Sequence, residues 1–148
     1  MNDPVHAVYP GTFDPFTPGH LDVVDRSRRM FDQVTILVAV NDAKRPSRTT
    51  AARAREIRAS LPVGWANVVV AAWHGLTVDY CRRHGCSVIV RGVRNSIDRG
   101  ELELAAMNEA LGVTTVFVPA RAELATMSST AVRALTTPRQ SDAHSRES

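Results

Sequence analysis

The run Tyr9–His20 reads Tyr-Pro-Gly-Thr-Phe-Asp-Pro-Phe-Thr-Pro-Gly-His and contains two glycines and three prolines that could form a rigid, anion-binding turn. A helix that begins near Gly19 would place His20 in its first turn, beside free backbone N–H groups and the positive end of the helix dipole. The His20 imidazole and the Thr12 hydroxyl could each donate a hydrogen bond to a phosphate oxygen. The run therefore predicts phosphate binding. The alternative is a structural turn in which His20 is only a capping residue.

Cationic side chains at two further places could face the same phosphate. Lys44 is the only lysine among 18 basic residues, and its flexible point charge suits a phosphate. Arg91 and Arg94 flank Gly92 after an apolar run, and two guanidinium groups can hold oxyanions by paired hydrogen bonds. The alternative for all three is an ordinary solvated surface charge.

Hydroxyl groups provide a second candidate anion site near the end of the chain. Ser128, Ser129 and Thr130 stand where a short helix is predicted to begin, so that hydroxyls and free N–H groups would occur together. Simple helix capping is the alternative. Glu101 opens another predicted helix, where a carboxylate complements the dipole. The remaining histidines have no metal-ligand spacing: His6, His74, His84 and His144.

The elements that must position these residues alternate along the chain. Short β-branched runs predict strands over 5–9, 34–40, 67–72, 87–90 and 113–118, and amphipathic stretches predict helices over 19–31, 50–61, 76–84, 101–111 and 128–135. Thr49 or Thr50 is a plausible N-cap, and Gly85 is expected to end the third helix. This alternation predicts an α/β fold, with a doubly wound, Rossmann-like, five-stranded parallel sheet and helices on both faces.

The predicted topology also locates the site and the domain. Ligands of such sheets bind beyond the carboxyl ends of the strands, near the point where strand order reverses. The loops after strands one, two and four and the start of the last helix should therefore form the site. Residues 1–135 are expected to form one domain, and the polar run 136–148 is expected to be a disordered tail.

Composition excludes several classes of protein. The 148 residues are 44% hydrophobic and 22% charged with a net charge of +3, which is typical of a globular domain. With 5% aromatic residues and no recognisable binding motif, nucleic acid is not expected as a partner. No apolar run approaches the roughly 20 residues that span a bilayer. Without a signal peptide, and with Cys81 and Cys86 reduced, we expect a cytoplasmic protein that does not bind membranes.

The Pro-Gly-Thr-Phe-Asp-Pro run that ends in Thr17-x-Gly-His20 resembles the signature of the nucleotidyltransferase superfamily of the HxGH/TxGH type. More narrowly, it is similar to phosphopantetheine adenylyltransferases of bacterial coenzyme A synthesis. The similarity continues, in family order from residue 5 to about 135, through four further segments: Asn41-Asp42-Ala43-Lys44, Val88–Arg94, Glu101 with Met107-Asn108, and Met127–Thr130.

This resemblance implies the transfer of AMP from ATP to 4′-phosphopantetheine, which yields dephospho-coenzyme A and pyrophosphate. The acceptor's own phosphate attacks, so catalysis is positioning plus electrostatic stabilisation. The resemblance implies that His20 stabilises the α-phosphate and that Thr12 and Lys44 orient the attacking phosphate. His74 could line the acceptor pocket with Leu76 and Thr77; the alternative is that His74, like the other remaining histidines, is structural or exposed. By the same resemblance, Arg91 would contact the phosphate-bearing arm of the acceptor. Arg94 and residues 128–130 would contact the β- and γ-phosphates of ATP.

The resemblance therefore implies two binding sites, one for the nucleotide and one for the acceptor. The implied nucleotide contacts are Thr12, Phe13, His20, Gly92, Val93, Arg94, Glu101, Ser128, Ser129 and Thr130. The implied acceptor contacts are Thr12, Lys44, Thr77 and Arg91. Mg²⁺ is expected to arrive with ATP, because the sequence shows no carboxylate pair dedicated to a metal. The family also implies a homo-oligomer, a hexamer.

The sequence departs from the family where the walls of the site are expected. Asp98-Arg99-Gly100-Glu101 replaces an acidic-aromatic run, Leu124-Ala125-Thr126 replaces an aromatic-Ser-Phe run, the run 45–50 differs, and the chain ends about one helix early. Two alternatives therefore stay open: a relative that transfers AMP or CMP to another phosphate or phosphonate, and a nucleotide-binding module without catalysis.

Overall fold

Strands and helices alternate along the described part of the chain, residues 3–40 and 49–121 of a computed structural model. The strands are β1 (His6–Gly11), β2 (Gln33–Val40), β3 (Val68–His74), β4 (Val88–Val93) and β5 (Thr114–Pro119). The helices are α1 (Pro18–Met30), α2 (Thr50–Ser60), α3 (Thr77–His84) and α4 (Arg99–Ala110). None of the helices within these residues is long and apolar enough to cross a membrane.

The five strands form one parallel sheet in the order β3-β2-β1-β4-β5. The chain runs outward from β1 through β2 to β3, then crosses back to β4 beside β1. Strand order therefore reverses between β1 and β4, and this is the position at which such sheets bind ligands beyond their carboxyl ends.

Two apolar cores confirm that helices cover both faces. Val24 of α1 and Ile57 of α2 pack with Tyr9 on the first face. Val78 and Cys81 of α3 pack with the neighbouring strand residue, Val8, on the second face. Successive residues of a strand point to opposite faces, so β1 contributes to both cores. The predicted fold class is confirmed.

Most element boundaries agree with the prediction to within two residues. Thr49 caps α2, accepting the Ala52 N–H at 3.1 Å, and Gly85 ends α3. One boundary matters for function. The sequence predicts that β4 ends at Val90, but the strand continues to Val93, because Arg91 and Val93 pair with Phe117 and Pro119 of β5. Arg91 therefore lies within the strand, not after it. The predicted helix 128–135 and tail 136–148 lie outside the described residues.

Candidate functional site

The start of α1 fixes the position of His20. Thr17 is the N-cap and Pro18 occupies the first helical turn, where its missing N–H costs nothing. The Thr17 hydroxyl accepts the His20 backbone N–H at 3.3 Å, and the Thr17 backbone N–H donates to Nδ1 of His20 at 2.9 Å. This is a capping box in which an imidazole takes the place of the usual Glu or Gln.

The capping box also decides which nitrogen of His20 carries the proton. A backbone N–H is always a donor, so Nδ1 must supply a lone pair. A neutral imidazole then has its proton on Nε2, where it remains available to a ligand. Capping and ligand binding are therefore compatible for His20, because each uses a different ring nitrogen.

The surroundings of His20 keep its ring neutral. Phe13 meets the imidazole edge-on, with ring centroids 5.1 Å apart, and Phe16 lies at 5.6 Å. Burial and, to a smaller extent, the positive charge of Arg94 together lower the pKa of His20 from 6.5 to about 4. The sequence allowed either a neutral or a charged imidazole, whereas the structure places a neutral Nε2–H donor here at pH 7.

A cavity of about 120 Å³, called here the first cavity, lies between the start of α1 and the end of β4. It is lined by residues from the carboxyl edge of the sheet and the first turns of α1: Tyr9, Thr17, Gly19, His20, Val23, Gly92, Val93, Arg94 and Ala120. The structure thus brings together His20, Gly92, Val93 and Arg94, all expected nucleotide contacts. A hydrogen-bond donor, a helix N-terminus and a guanidinium around one cavity suit an anion.

A smaller cavity of about 60 Å³, called here the second cavity, lies on the opposite face of the same strand ends. It brings together Thr77 and Arg91, both expected acceptor contacts, with Pro10 and Glu101. Nε of Arg91 donates to Oε1 of Glu101 at 3.1 Å. Glu101, expected on the nucleotide side, therefore lies with the expected acceptor contacts and holds Arg91.

The extension of β4 explains why Arg91 and Arg94 separate. Alternate residues of a strand face opposite sides of the sheet. Gly92 accordingly lines the first cavity and Arg91 the second. The sequence interpretation, in which Arg91 and Arg94 share one loop, is therefore wrong about Arg91.

The turn after β1 is held by Arg53, for which the sequence predicts no role in the site. Arg53 of α2 is only 2% exposed, and its guanidinium donates to the Thr12 carbonyl and, at 3.0 Å, to the Thr50 hydroxyl. The Phe13 side chain is buried, with φ at 52°, and packs so close to Gly11 that a Cβ there would stand 2.7 Å from the ring. A contact between Phe13 and a nucleotide would therefore use its backbone.

A signal for Arg53 was present in the spacing of α2. Arg53 lies one residue before Ala54 and four before Ile57, and both of those residues are buried. Residues four apart share a helix face, so this spacing places Arg53 on the inward side. The charge of an arginine argues against burial, because arginine is rarely buried unless it is paired.

A second pairing that the sequence did not indicate connects α1 to the chain beyond β5. Asp22, whose side chain is 4% exposed, lies 2.9 Å from Nη2 of Arg26 and 2.8 Å from Nη2 of Arg121. Arg26 also donates to the Pro119 carbonyl. These contacts fix the side of the first cavity that Ala120 forms.

Several expected site residues fall outside the described ranges. These residues are Lys44, Ser128, Ser129 and Thr130. Their roles stay predictions. Within 3–40 and 49–121, no group of three or more His, Cys, Asp or Glu side chains could hold a metal ion.

Comparison with known proteins adds independent evidence on the family. The cytidylyltransferase-like family model matches residues 8–135. A phosphopantetheine adenylyltransferase of Bifidobacterium longum (strain DJO10A) is 45% identical over 130 residues, which are 86% of this chain and 78% of that protein. The enzyme of the same name from Symbiobacterium thermophilum is 42% identical over 137 residues, 88% of this chain and 82% of the relative.

Solved structures support the fold. The lipopolysaccharide core biosynthesis protein of Thermoplasma volcanium GSS1 superposes with a TM-score of 0.61 at 22% identity, over 80% of this chain and 98% of that one. A second solved structure is a bifunctional NMN adenylyltransferase/ADP ribose pyrophosphatase of Francisella tularensis, complexed with AMP and a manganese ion. It superposes with a TM-score of 0.59 at 17% identity, over 81% of this chain and 38% of that one. The expected family and enzyme class, a nucleotidyltransferase, are confirmed by the sequence relatives. The chain belongs to the cytidylyltransferase-like family and, within it, to the phosphopantetheine adenylyltransferases.

Proposed function

We propose that this enzyme transfers AMP from ATP to 4′-phosphopantetheine, forming dephospho-coenzyme A and releasing pyrophosphate. Relatives that bear the name of this activity match most of the chain. The observation that carries the proposal is the first cavity, where a neutral His20, with Nε2–H free to donate, faces the same space as Arg94.

The reaction needs no nucleophile from the protein. An oxygen of the acceptor's phosphate attacks the α-phosphorus of ATP, a new P–O bond forms, and the bond to the β-phosphate oxygen breaks as pyrophosphate leaves. Negative charge on the α-phosphoryl oxygens must be stabilised in the transition state. Nε2–H of His20 and the N-terminus of α1 supply that stabilisation, and Arg94 suits the β- and γ-phosphates. Mg²⁺ enters as part of the substrate MgATP and offsets charge on the triphosphate.

The second cavity suits the acceptor. Arg91 is held there by Glu101, with the hydroxyl-bearing Thr77 in the same wall. Neighbouring residues of β1, Tyr9 and Pro10, line the first and second cavities respectively. The two substrates would thus approach from opposite faces of the sheet, and their phosphates would meet at the carboxyl ends of β1 and β4. Thr12 and Lys44 remain the proposed orienting groups for the attacking phosphate.

We also propose that the enzyme is a homo-oligomer. Helix α4 exposes Leu104 at 52% and Met107 at 63%, and Leu111 follows the helix at 46%. These three side chains are spaced three and four residues apart and therefore share one face, and exposed apolar faces are typical of interaction surfaces. Light scattering of the wild type and of Met107→Glu tests this idea: a wild-type protein that is monomeric would contradict it, as would a variant that assembles normally.

The activity is tested by measuring pyrophosphate release with ATP and with CTP, each offered with 4′-phosphopantetheine, choline phosphate or nicotinamide mononucleotide. We expect release with ATP and 4′-phosphopantetheine alone, and loss of it in His20→Ala. Release with another pair would instead support the related transferase. No release with any pair, despite binding of ATP, would support a binding module.

A further inference from the structure

The Tyr9 hydroxyl lies at the edge of the first cavity, on a ring that is otherwise buried. The Tyr9 side chain is 5% exposed and lines the cavity with His20, Gly92 and Arg94. Among the described residues, this hydroxyl makes no hydrogen bond. A phenol hydroxyl is both donor and acceptor, so at the cavity lining it can donate a hydrogen bond to a ligand.

The packing around Tyr9 holds its hydroxyl in one place and leaves it accessible. Phe13 meets the tyrosine ring edge-on with centroids 5.3 Å apart, which fixes the ring. On the neighbouring strand β4, a Cβ at Gly92 would stand 3.6 Å from the Tyr9 hydroxyl oxygen and 3.3 Å from Cγ2 of Val23. Glycine at 92 therefore leaves space beside the hydroxyl that any other side chain would take.

The groups around Tyr9 determine what kind of atom it binds. Burial raises the pKa of Tyr9 well above its usual range, and the charges of Arg91 and Arg94 lower it by a smaller amount, so the phenol stays protonated at physiological pH. His20 contributes another donor to the same cavity. A cavity whose polar groups are donors and cations is complementary to anionic oxygen.

We propose that the Tyr9 hydroxyl donates a hydrogen bond to a non-bridging phosphate oxygen of the nucleotide in the first cavity. The proposal rests on the proposed function in one respect, namely that a nucleoside triphosphate occupies this cavity. Tyr9 then donates from β1, and His20 donates from α1 into the same cavity. Two donors on different elements would fix the orientation of the phosphate that is attacked.

The test compares Tyr9→Phe with the wild type for binding of two probes, Mg²⁺ with α,β-methylene-ATP and adenosine, measured by calorimetry and ligand-observed NMR. Loss of one hydrogen bond to a charged oxygen should weaken the triphosphate analogue by roughly 10- to 100-fold, and adenosine should bind unchanged. Tyr80→Phe is the matched control, because Tyr80 is the other tyrosine and packs in the core of the second face. It should bind both probes as the wild type does.

A second measurement uses the intact side chain. With only two tyrosines in the chain, 3-fluorotyrosine labelling gives two ¹⁹F resonances that Tyr80→Phe assigns. The Tyr9 resonance should shift with the triphosphate analogue and not with adenosine.

Three results would overturn the proposal: unchanged binding of the analogue by Tyr9→Phe, equal weakening of adenosine, or no binding of the analogue by the wild type. Neither measurement needs an acceptor or turnover. A wild type that binds the analogue but releases no pyrophosphate would therefore contradict the proposed function and leave the assignment of Tyr9 standing.

Discussion

The backbone N–H of Thr17 donates to Nδ1 of His20 at 2.9 Å, and this one hydrogen bond gives His20 two functions. It completes the cap of α1, and it forces the ring proton onto Nε2, on the side available to a ligand. The geometry of the helix start thereby sets the protonation of the group proposed to stabilise the reacting phosphate.

His20 should be a neutral Nε2–H imidazole at pH 7 that titrates near pH 4, because burial and Arg94 both oppose its positive charge. Long-range ¹H–¹⁵N spectra of the ring nitrogens, recorded from pH 3 to pH 8, report both the tautomer and the pKa. The chain has five histidines, so His20→Gln serves to assign the signal. A ring that titrates near its ordinary pKa, or carries its proton on Nδ1, would contradict the described capping geometry.

The same lowered pKa predicts a pH dependence of stability. The pKa of His20 is 6.5 in a model peptide and about 4 in the fold, so between these values the unfolded chain binds more protons. The free energy of unfolding should therefore decrease as the pH falls from 6.5 towards 4. Urea denaturation of wild type and His20→Gln across this window measures the effect, since the decrease should be smaller in the variant. Parallel curves would show that His20 does not contribute.

His20→Ala should lower kcat on the order of 100-fold or more, as loss of an oxyanion donor does, with little change in ATP affinity. It should also cost about 1 kcal/mol of stability, since the Thr17 N–H loses its partner. His20→Gln separates the two effects. Glutamine completes a capping box, so at pH 7 this variant should unfold like the wild type and still lose turnover. Near-normal kcat in both variants, from steady-state pyrophosphate release, would remove His20 from the mechanism.

Gly92→Ala should cost more free energy of ATP binding than free energy of unfolding. The new methyl group would lie 3.3 Å from Val23 Cγ2 and 3.6 Å from the Tyr9 hydroxyl oxygen, at the lining of the first cavity. We expect at least a 10-fold loss of affinity for MgATP by calorimetry. Gly64→Ala is the control, because a Cβ at Gly64 meets nothing within 4 Å. Equal ATP affinity in the two variants would show that the nucleotide does not approach Gly92.

Arg53→Lys should destabilise the protein by about 1–3 kcal/mol, because lysine cannot reproduce the guanidinium's paired bonds and leaves buried polar groups unpaired. The Thr12 carbonyl loses the donor that holds it, so KM for the acceptor should rise as well. Arg55→Lys is the matched control, being the same change on the exposed side of α2. Denaturation and acceptor kinetics that are the same in both variants would contradict a positioning role for Arg53.

Local pattern in the sequence determined the elements and most of the fold. The apolar runs of β2 and β4 and the amphipathic spacing of α1 predict strands and helices because burial needs a matching periodicity. Connection rules then arrange alternating strands and helices into a parallel sheet. The motif around His20 and the basic residues near β4 also predicted where a site should lie, since the carboxyl ends of parallel strands meet at one edge.

Only the tertiary structure decided how those residues are divided between the two cavities and which protonation state His20 has. Pairing with β5 extends β4 through Arg91, and strand alternation then sends Arg91 and Gly92 to opposite cavities. The neutral state of His20, the position of the Tyr9 hydroxyl on the cavity and the burial of Arg53 depend on neighbours that are distant in sequence. Burial, charge and hydrogen bonding are properties of surroundings in three dimensions, and the order of residues along a chain does not specify them directly.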